Sequence, residues 1–392
     1  MTHPCDDIRG TLSRHLDTKT IIIGVTGSIA AVESVKLARQ LIRHGATVLP
    51  VMTPAACDII HPYALEFATG IPPILELTGA VEHVEHCGAR PDRADALLVA
   101  PCTANTLSKI ALGIDDTPVT TFATTALGSG VPVIVVPAMH ASMYDNAFVM
   151  DNLERLREQG VVIVAPRQEE GKAKIASMDD IVACLLRKLG PQDFAGRRVI
   201  IVGGATAEPV DDVRVLANRS SGKMALALAA AAYRRGADVE LWHSGLAVPD
   251  YIEARCFTTH QDIIALTREA DYADVIINCA AISDFVPEYQ AGKLSSGSAM
   301  DLHLTPAERV NPHLRGIADV AVSFKLEPSE EQAVERAYRR LQEDNFEYIV
   351  ANTTASLGAD RMKAWIVDRS RDVTPVQGDK PCVAERLLDR LA

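Results

Sequence analysis

Short apolar runs alternate with segments of helical periodicity along the whole chain. The first runs predict a buried strand at Thr20–Val25, a helical segment over residues 29–43 that ends at Gly45, and a second strand at Thr47–Met52. A strand, a helix and a strand in this order predict a parallel sheet with right-handed crossovers. Further strands are expected at residues 96–100, 131–136 and 161–164.

The same pattern begins again in the second half of the chain. Strands predicted at residues 198–202 and 239–243 flank a helical segment over residues 221–235, and Gly236 ends this helix as Gly45 ends the first one. Two more strands are expected at residues 274–279 and 348–351.

Repetition of this unit predicts the fold class. The chain has 392 residues, which suits two domains of roughly 150–200 residues each. We predict an α/β protein with two tandem doubly wound, Rossmann-like parallel-sheet domains, residues 1–190 and 191–392, joined at Gly190-Pro191.

Charge and composition exclude several classes of function. Lys plus Arg number 39 and Asp plus Glu 51, so the net charge of -12 opposes non-specific binding of nucleic acids and anionic membranes. The first ten residues are polar and no apolar run approaches the ~20 residues of a transmembrane helix, so we expect a cytosolic protein. The eight cysteines show no zinc-binding spacing and are expected to be free thiols.

Ligands of doubly wound sheets bind where the strands end, so the residues after each strand are the candidates. In the first half four strand ends carry small hydroxyl or amide residues, and no Ser-His-Asp or metal-binding set is present among them. Thr and Asn there cap helices or bind a ligand. The pattern suits a planar polar cofactor with one phosphate. The candidates are Gly27, Ser28, Ile29, Thr53, Pro101, Thr103, Asn105, Met139 and His140.

Four motifs occur in order over residues 19–185: G-V-T-G-S-I-A-A, M-T-x-A-A, A-P-x-T-A-N-T and P-A-M-x-x-x-M-Y. Together they resemble the flavin-dependent cysteine decarboxylase family. The resemblance implies FMN bound between subunits of a trimer-based assembly, with the candidates from Gly27 to Met139 as its contacts. It also implies a His base before the strand that begins after Ala94-Asp95. His83, in the pattern H-[IV]-E, is the expected base, and His86 is the alternative.

Two departures from the family pattern concern substrate binding. His140 stands where the family has an Asn that holds the substrate carboxylate. The flexible substrate clamp, which in the family contains a proton-donating Cys, corresponds here to residues 169–174 and has none. Lys174 or Lys172 is therefore expected either to donate the proton or to bind the substrate's phosphate.

The second half contains V-R-x-L-x-N-x-S-S-G-K-M over residues 213–224, followed by A-A-I-S-D-F, F-K-L-E and V-A-N. These strings resemble phosphopantothenate–cysteine ligase over residues 194–390. The resemblance implies that CTP, with Mg²⁺ whose ligands are not identified, activates the carboxylate of 4′-phosphopantothenate, and that the amine of L-cysteine then displaces CMP. Asn218 is expected to hold the acyl intermediate and Lys293 the phosphates. Nucleotide contacts are expected from Gly204, Ala205, Ala281, Ile282, Ser283, Asp284, Phe324 and Arg340.

One position departs from the ligase pattern. The family places two basic residues four apart on the helix before the A-N strand, and this chain has Arg340 and then Asp344. The reversed charge calls the affinity and base preference of the nucleotide site into question.

The two resemblances concern adjacent reactions, because the ligase product is the decarboxylase substrate. The chain therefore resembles the bifunctional family of coenzyme A biosynthesis, and we expect a homo-oligomer with a trimer-based flavin domain and a dimeric ligase domain. A non-catalytic flavoprotein scaffold is the alternative. A nicotinamide reductase is suggested only by the Rossmann-like pattern, without the G-x-G-x-x-G signature.

Overall fold

The computed structural model describes residues 3–169, 172–294 and 300–392. The described chain divides into two compact units, which meet between Gly190 and Pro191. Each unit is built on its own β-sheet.

The first unit has a parallel five-stranded sheet in the order β2-β1-β3-β4-β5 and a separate antiparallel hairpin, β6-β7. Its strands are β1 Thr20–Val25, β2 Thr47–Met52, β3 Ala96–Cys102, β4 Val133–Pro137, β5 Val162–Ile163, β6 Arg167–Glu169 and β7 Lys172–Lys174. Its helices are α1 Ser34–Arg43, α2 Pro54–Cys57, α3 Pro62–Thr69, α4 Glu82–Cys87, α5 Ala104–Leu112, α6 Pro118–Ser129, α7 Ala141–Tyr144, α8 Ala147–Glu158 and α9 Met178–Leu189, with 3₁₀ turns at Asp6–Ile8 and Ile29–Glu33.

Burial on both faces explains why β1 reads as an unbroken apolar run. Ile21 and Ile23 pack with α1 and α9 on one face, whereas Ile22 packs with α5 and α6 on the other. Helices on both faces leave no solvent-facing side on which polar residues could alternate. The carboxyl ends of the parallel strands therefore meet at one edge, where the connecting turns lie.

The second unit has an eight-stranded sheet in the order β12-β11-β8-β13-β16-β17-β18-β19. Its strands are β8 Arg198–Gly203, β9 Ala207–Pro209, β10 Val215–Ala217, β11 Asp238–His243, β12 Glu253–Cys256, β13 Ala273–Asn278, β14 Phe285–Pro287, β15 Leu304–Pro306, β16 Ala318–Glu327, β17 Tyr348–Thr353, β18 Arg361–Asp368 and β19 Val373–Asp379. Its helices are α10 Lys223–Arg234, α11 His260–Glu269, α12 Asn311–Arg315, α13 Ala333–Asp344 and α14 Lys380–Leu391, with a 3₁₀ turn at Thr354–Ser356. The pairs β9-β10 and β14-β15 form small antiparallel ribbons.

The doubly wound α/β prediction is confirmed, with two corrections. The segment predicted as one helix over residues 29–43 starts with a 3₁₀ turn, and α1 begins only at Ser34. The second sheet is mixed, because β18 pairs antiparallel with β17 and β19 pairs antiparallel with β18. This hairpin was not predicted, although Met362, Ala364 and Ile366 alternate inward at the spacing of a strand.

Candidate functional site

A buried threonine joins the two central strands of the first sheet at the point where the strand order reverses. Thr26, directly after β1, is fully buried. Its Oγ1 donates to the carbonyl oxygen of Pro101 at 2.8 Å and accepts from the amide of Thr103 at 3.0 Å. In open α/β sheets this switch point is the expected ligand crevice. The bond pair holds the turn after β1 against the turn after β3.

The turn after Thr26 requires a glycine. A Cβ on Gly27 would lie 2.6 Å from Cβ of Ala55, closer than side chains approach. Ser28 then donates from Oγ to the carbonyl oxygen of Ala138 at 3.2 Å and accepts from the amide of Ala30 at 3.4 Å. These contacts shape a small-residue cradle beside the end of β4.

A cavity of about 600 Å³ opens at this cradle. Its wall contains Ser28, Ile29, Met139 and His140, which the sequence predicted, and Arg167, which it did not. Most of the remaining wall is apolar and comes from the 3₁₀ turn Ile29–Glu33, α1, α9 and the segment between β7 and α9, and Glu33 adds a carboxylate. A large apolar wall with a narrow turn and one cation fits a flat aromatic ligand that carries an anionic end.

Other predicted contacts of the first unit lie in the supporting turns. Oγ1 of Thr53 accepts from the amide of Ala56 at 3.2 Å and so caps α2, and Oγ1 of Thr103 caps α5 in the same way. Pro101 is buried in β3, and Asn105 is exposed on the first turn of α5. None of these four is part of the cavity wall. Their contact with a cofactor stays a prediction.

The candidate bases differ in their surroundings. His83 on α4 has a buried Nδ1 without a hydrogen-bond partner among the described residues. The His86 ring stacks on Phe122 with the ring centroids 6.5 Å apart, which gives it a packing role. His83 is not part of the cavity wall, whereas His140 is exposed at the cavity and its side chain caps no helix.

The predicted clamp is the β6-β7 hairpin. Glu170 and Gly171 lie outside the described residues, and for Lys172 and Lys174 the structure describes the backbone strand only. The base of the hairpin borders the cavity, since Arg167 donates from Nε to the carbonyl oxygen of Ile175 at 3.2 Å and both residues are in the wall.

The second sheet also has a buried threonine that bonds to the turn after a neighbouring strand. Thr206 follows β8, is fully buried, and donates from Oγ1 to Oγ of Ser283 at 3.0 Å, while the Ser283 amide donates back to it at 2.9 Å. The amide of Ala281 donates to the carbonyl oxygen of Gly204 at 2.9 Å, and Ala205 forms a parallel bridge with Ala281. The backbone of Gly204 and Ala205 therefore supports the turn after β13.

Most of the ligand contacts predicted for this unit come together around one cavity of about 380 Å³. Its wall contains Asn218, Ala281, Ile282, Ser283, Asp284, Phe324 and Arg340. Asn218 reaches it from the β10–α10 segment, and its Nδ2 donates to the carbonyl oxygen of Ile282 at 3.1 Å. Lys293 is exposed next to residues 295–299, which lie outside the described chain, and it is not in the wall.

The reversed charge at residue 344 is buried and compensated. The Asp344 carboxylate is fully shielded from solvent and accepts from Nε of Arg340 at 2.8 Å, from Nδ2 of Asn311 at 2.6 Å and from Nη2 of Arg309. Asn311 in turn accepts from Nδ2 of Asn278 at 2.9 Å. Both arginines line the cavity, so Asp344 holds two cations there. Sequence reasoning missed Arg309 because no local pattern links it to α13.

A smaller cavity of about 150 Å³ adjoins the first at the start of α10. It contains Ser220, Ser221, Gly222 and Lys223, which follow Asn218 in the sequence, together with Lys380 from the far end of the chain. Within the described residues, no three His, Cys, Asp or Glu side chains cluster as metal ligands would. Nor does any described helix combine the length and apolar character needed to cross a bilayer.

These features define a class: a tandem α/β protein with a cavity at the strand ends of each sheet. The Flavoprotein family model matches residues 9–190, and the model of the DNA/pantothenate metabolism flavoprotein C-terminal domain matches residues 194–392. The coenzyme A biosynthesis bifunctional protein CoaBC of Thermococcus kodakarensis is 42% identical over all of this chain and 99% of its own length. The protein of the same name from Methanocaldococcus jannaschii is 38% identical over 99% of this chain and 97% of its own.

A crystal structure of the DNA/pantothenate metabolism flavoprotein from Streptococcus pneumoniae superposes on 50% of this chain and 98% of its own, with a TM-score of 0.46 and 22% identity. The chain belongs to the family of bifunctional coenzyme A biosynthesis proteins, as the full-length relatives show.

Proposed function

We propose that this chain is a bifunctional enzyme that catalyses two consecutive steps of coenzyme A biosynthesis. The second unit joins L-cysteine to 4′-phosphopantothenate at the expense of CTP, and the first unit decarboxylates the product to 4′-phosphopantetheine with FMN. The observation that carries the proposal is the identity of 42% to a bifunctional relative across the whole chain, which includes both cavities. A non-catalytic scaffold is not favoured, because nothing in such a role requires the second cavity.

In the decarboxylase unit the cradle at Ser28 and the wall from Ile29 to Met139 would hold FMN, whose flat ring and phosphate suit an apolar cavity with a small-residue turn. Bound FMN supplies the two-electron oxidation that makes loss of CO₂ possible and then returns the electrons. His83 is the proposed base, and its Nδ1 has no hydrogen-bond partner among the described residues. His140 would bind the substrate carboxylate, and Lys174 would donate the last proton or bind phosphate.

A homo-oligomer would explain why His83 is not part of the cavity wall of its own chain. Ile29 and Phe148 leave 78% and 79% of their surface exposed, the two highest values among the large apolar side chains of the described residues. We propose that a second copy covers this surface and brings His83 to its neighbour's cavity in a trimer-based assembly, while the ligase unit dimerises.

In the ligase unit the carboxylate of 4′-phosphopantothenate attacks the α-phosphorus of CTP. The bond from that phosphorus to the bridging oxygen breaks, and pyrophosphate leaves with the electron pair. The amine of L-cysteine then attacks the acyl carbon, CMP leaves, and the amine loses a proton. Asn218 would hold the acyl intermediate, while Arg340 and Lys293 would neutralise phosphate charge. Mg²⁺ would be bound chiefly by the phosphates.

The test uses the purified full-length protein. A flavin spectrum, pyrophosphate formation that requires CTP, 4′-phosphopantothenate and L-cysteine together, and CO₂ release from the product are the expected results. A colourless protein that cannot be reconstituted with FMN would refute the decarboxylase half. Absence of pyrophosphate would refute the ligase half.

A further inference from the structure

Lys380 is a largely buried lysine that forms no ion pair with the described residues. It is the first residue of α14, follows β19, and is only 8% exposed. Among the described residues its Nζ makes no ion pair and donates no hydrogen bond, although it lies in the wall of the smaller cavity. An ammonium group that lines a cavity and forms no ion pair with the protein is available to an anionic group of a ligand.

The surroundings of Lys380 disfavour its charge. Burial and the neighbouring Lys223 lower the pKa of Lys380, and Asp360 and the Cys279 thiol oppose this shift. Asp360 is already committed, because its Oδ1 lies 2.5 Å from Nζ of Lys223. The amino end of α14 adds a further positive potential, and its capping carboxylate, Asp379, is occupied by the amide of Cys382 at 2.9 Å.

The opposite wall of the cavity also lacks an anion. It is formed by the start of α10, a 12-residue helix whose N-cap is Gly222, with a φ of 65°. No side chain caps the amide groups of the first turn. A helix start with free amides and a positive dipole end faces the same space as Lys380.

The smaller cavity is continuous with the larger one. Arg219, Ala281 and Phe324 belong to both walls, so the space near the Arg309–Asp344–Arg340 cluster adjoins the space at the start of α10. We propose that Lys380, together with the first amide groups of α10, binds a phosphate group of a substrate of the ligase reaction. This inference rests on the proposed function. Two substrates carry phosphate, CTP and 4′-phosphopantothenate, and the same ammonium–phosphate contact serves either.

The experiment measures pyrophosphate release by the full-length Lys380→Gln variant while CTP and 4′-phosphopantothenate are varied in turn. A charge-assisted hydrogen bond to phosphate predicts a rise in KM of about 10- to 100-fold for one of them. Lys363→Gln is the matched control, since Lys363 lies on β18 with a 2.5 Å ion pair to Glu330. Its KM values should stay within about twofold of wild type, as expected for an exposed pair.

The outcome identifies the phosphate. A higher KM for CTP alone places the nucleotide's phosphates at Lys380, and a higher KM for 4′-phosphopantothenate alone places that substrate's phosphate there. Partial recovery in Lys380→Arg supports a phosphate contact over a packing role. Unchanged KM values for both substrates in a folded Lys380→Gln variant would overturn the inference.

A second measurement needs neither a variant nor turnover. Wild-type protein is labelled with limiting acetic anhydride, and Lys380 and Lys363 are quantified by mass spectrometry with and without pyrophosphate, CTP–Mg²⁺ or 4′-phosphopantothenate. Protection of Lys380 but not of Lys363 by at least one of these supports the inference, and equal labelling throughout contradicts it. A wild-type protein that forms no pyrophosphate refutes the ligase function, while the labelling still decides whether Lys380 binds phosphate.

Discussion

Replacing Asp344 tests whether a buried carboxylate organises the cations of the nucleotide cavity. In Asp344→Ala the Arg340, Asn311 and Arg309 donors lose their common acceptor. Hydrogen bonds to a charged group contribute about 1.5–3 kcal/mol each. The side chains of Arg309 and Arg340 are 47% and 31% exposed, so both regain water and most of their loss is offset. Water does not offset the lost Asn311 hydrogen bond or the space left by the side chain. We therefore expect the free energy of unfolding to fall by about 2–4 kcal/mol.

The two tryptophans make this change in the free energy of unfolding measurable in the full-length protein. The chain has only Trp242 and Trp365, and both lie in the second unit. Urea unfolding followed by tryptophan fluorescence therefore reports the second unit. Asp344→Asn, which keeps the shape and one acceptor, should lose about 1–2 kcal/mol.

A neighbouring carboxylate, Glu343, provides the control variant for this experiment. Glu343 is on the same helix, its side chain is 48% exposed, and it lies 3.7 Å from Nη1 of Arg340. Glu343→Ala should change stability by less than about 0.5 kcal/mol. Asp344→Ala also makes the cavity more positive, and this change by itself should lower the KM for CTP. A higher KM for CTP would therefore show that Arg309 and Arg340 had lost their positions. A stability change equal to that of Glu343→Ala, with unaltered KM, would refute the organising role of Asp344.

Three further predictions concern both units. His83→Asn should slow CO₂ release by about 100-fold or more and leave pyrophosphate release within about twofold, since a positioned base contributes about 10²–10⁴; equal CO₂ release would remove His83 as the base. Gly27→Ala should weaken flavin retention, measured by the visible absorbance after gel filtration, because the new Cβ would meet Ala55 at 2.6 Å; Gly128→Ala, whose Cβ has open space, should retain flavin fully. Burial and Lys223 lower the pKa of Lys380, so the charged form is lost as pH rises through that value. The KM for the phosphate ligand should then rise with pH in wild type and stay flat in Lys380→Gln, and parallel pH profiles for the two proteins would contradict this. The ligand-free folded state binds fewer protons at Lys380 than the unfolded state, so its stability should increase over the same rise in pH.

The hairpin β18-β19 is the part of the second sheet that the sequence analysis did not predict. Its inward residues, Met362, Ala364 and Ile366, carry the period of a strand, so the sequence itself contains the pattern of this element. The start of α1 is different in kind, because residues 29–33 continue the helical pattern but form a 3₁₀ turn, and the hydrogen bond from Ser28 to the distant Ala138 constrains the chain just before them. Local propensity does not register that constraint.

The order of apolar and polar residues determined, without any structure, that two α/β units with parallel strands follow one another in the chain and that small polar residues follow those strands. Both results are local, because strand burial and turn chemistry depend on neighbours in the sequence. Tertiary structure alone decided that Arg309 meets Asp344, that Lys380 faces the start of α10, and that Thr26 and Thr206 bind across the switch points. These contacts join residues far apart in the chain, and which charges meet depends on strand order and crossover packing. Such information resides in the three-dimensional arrangement and in no single segment.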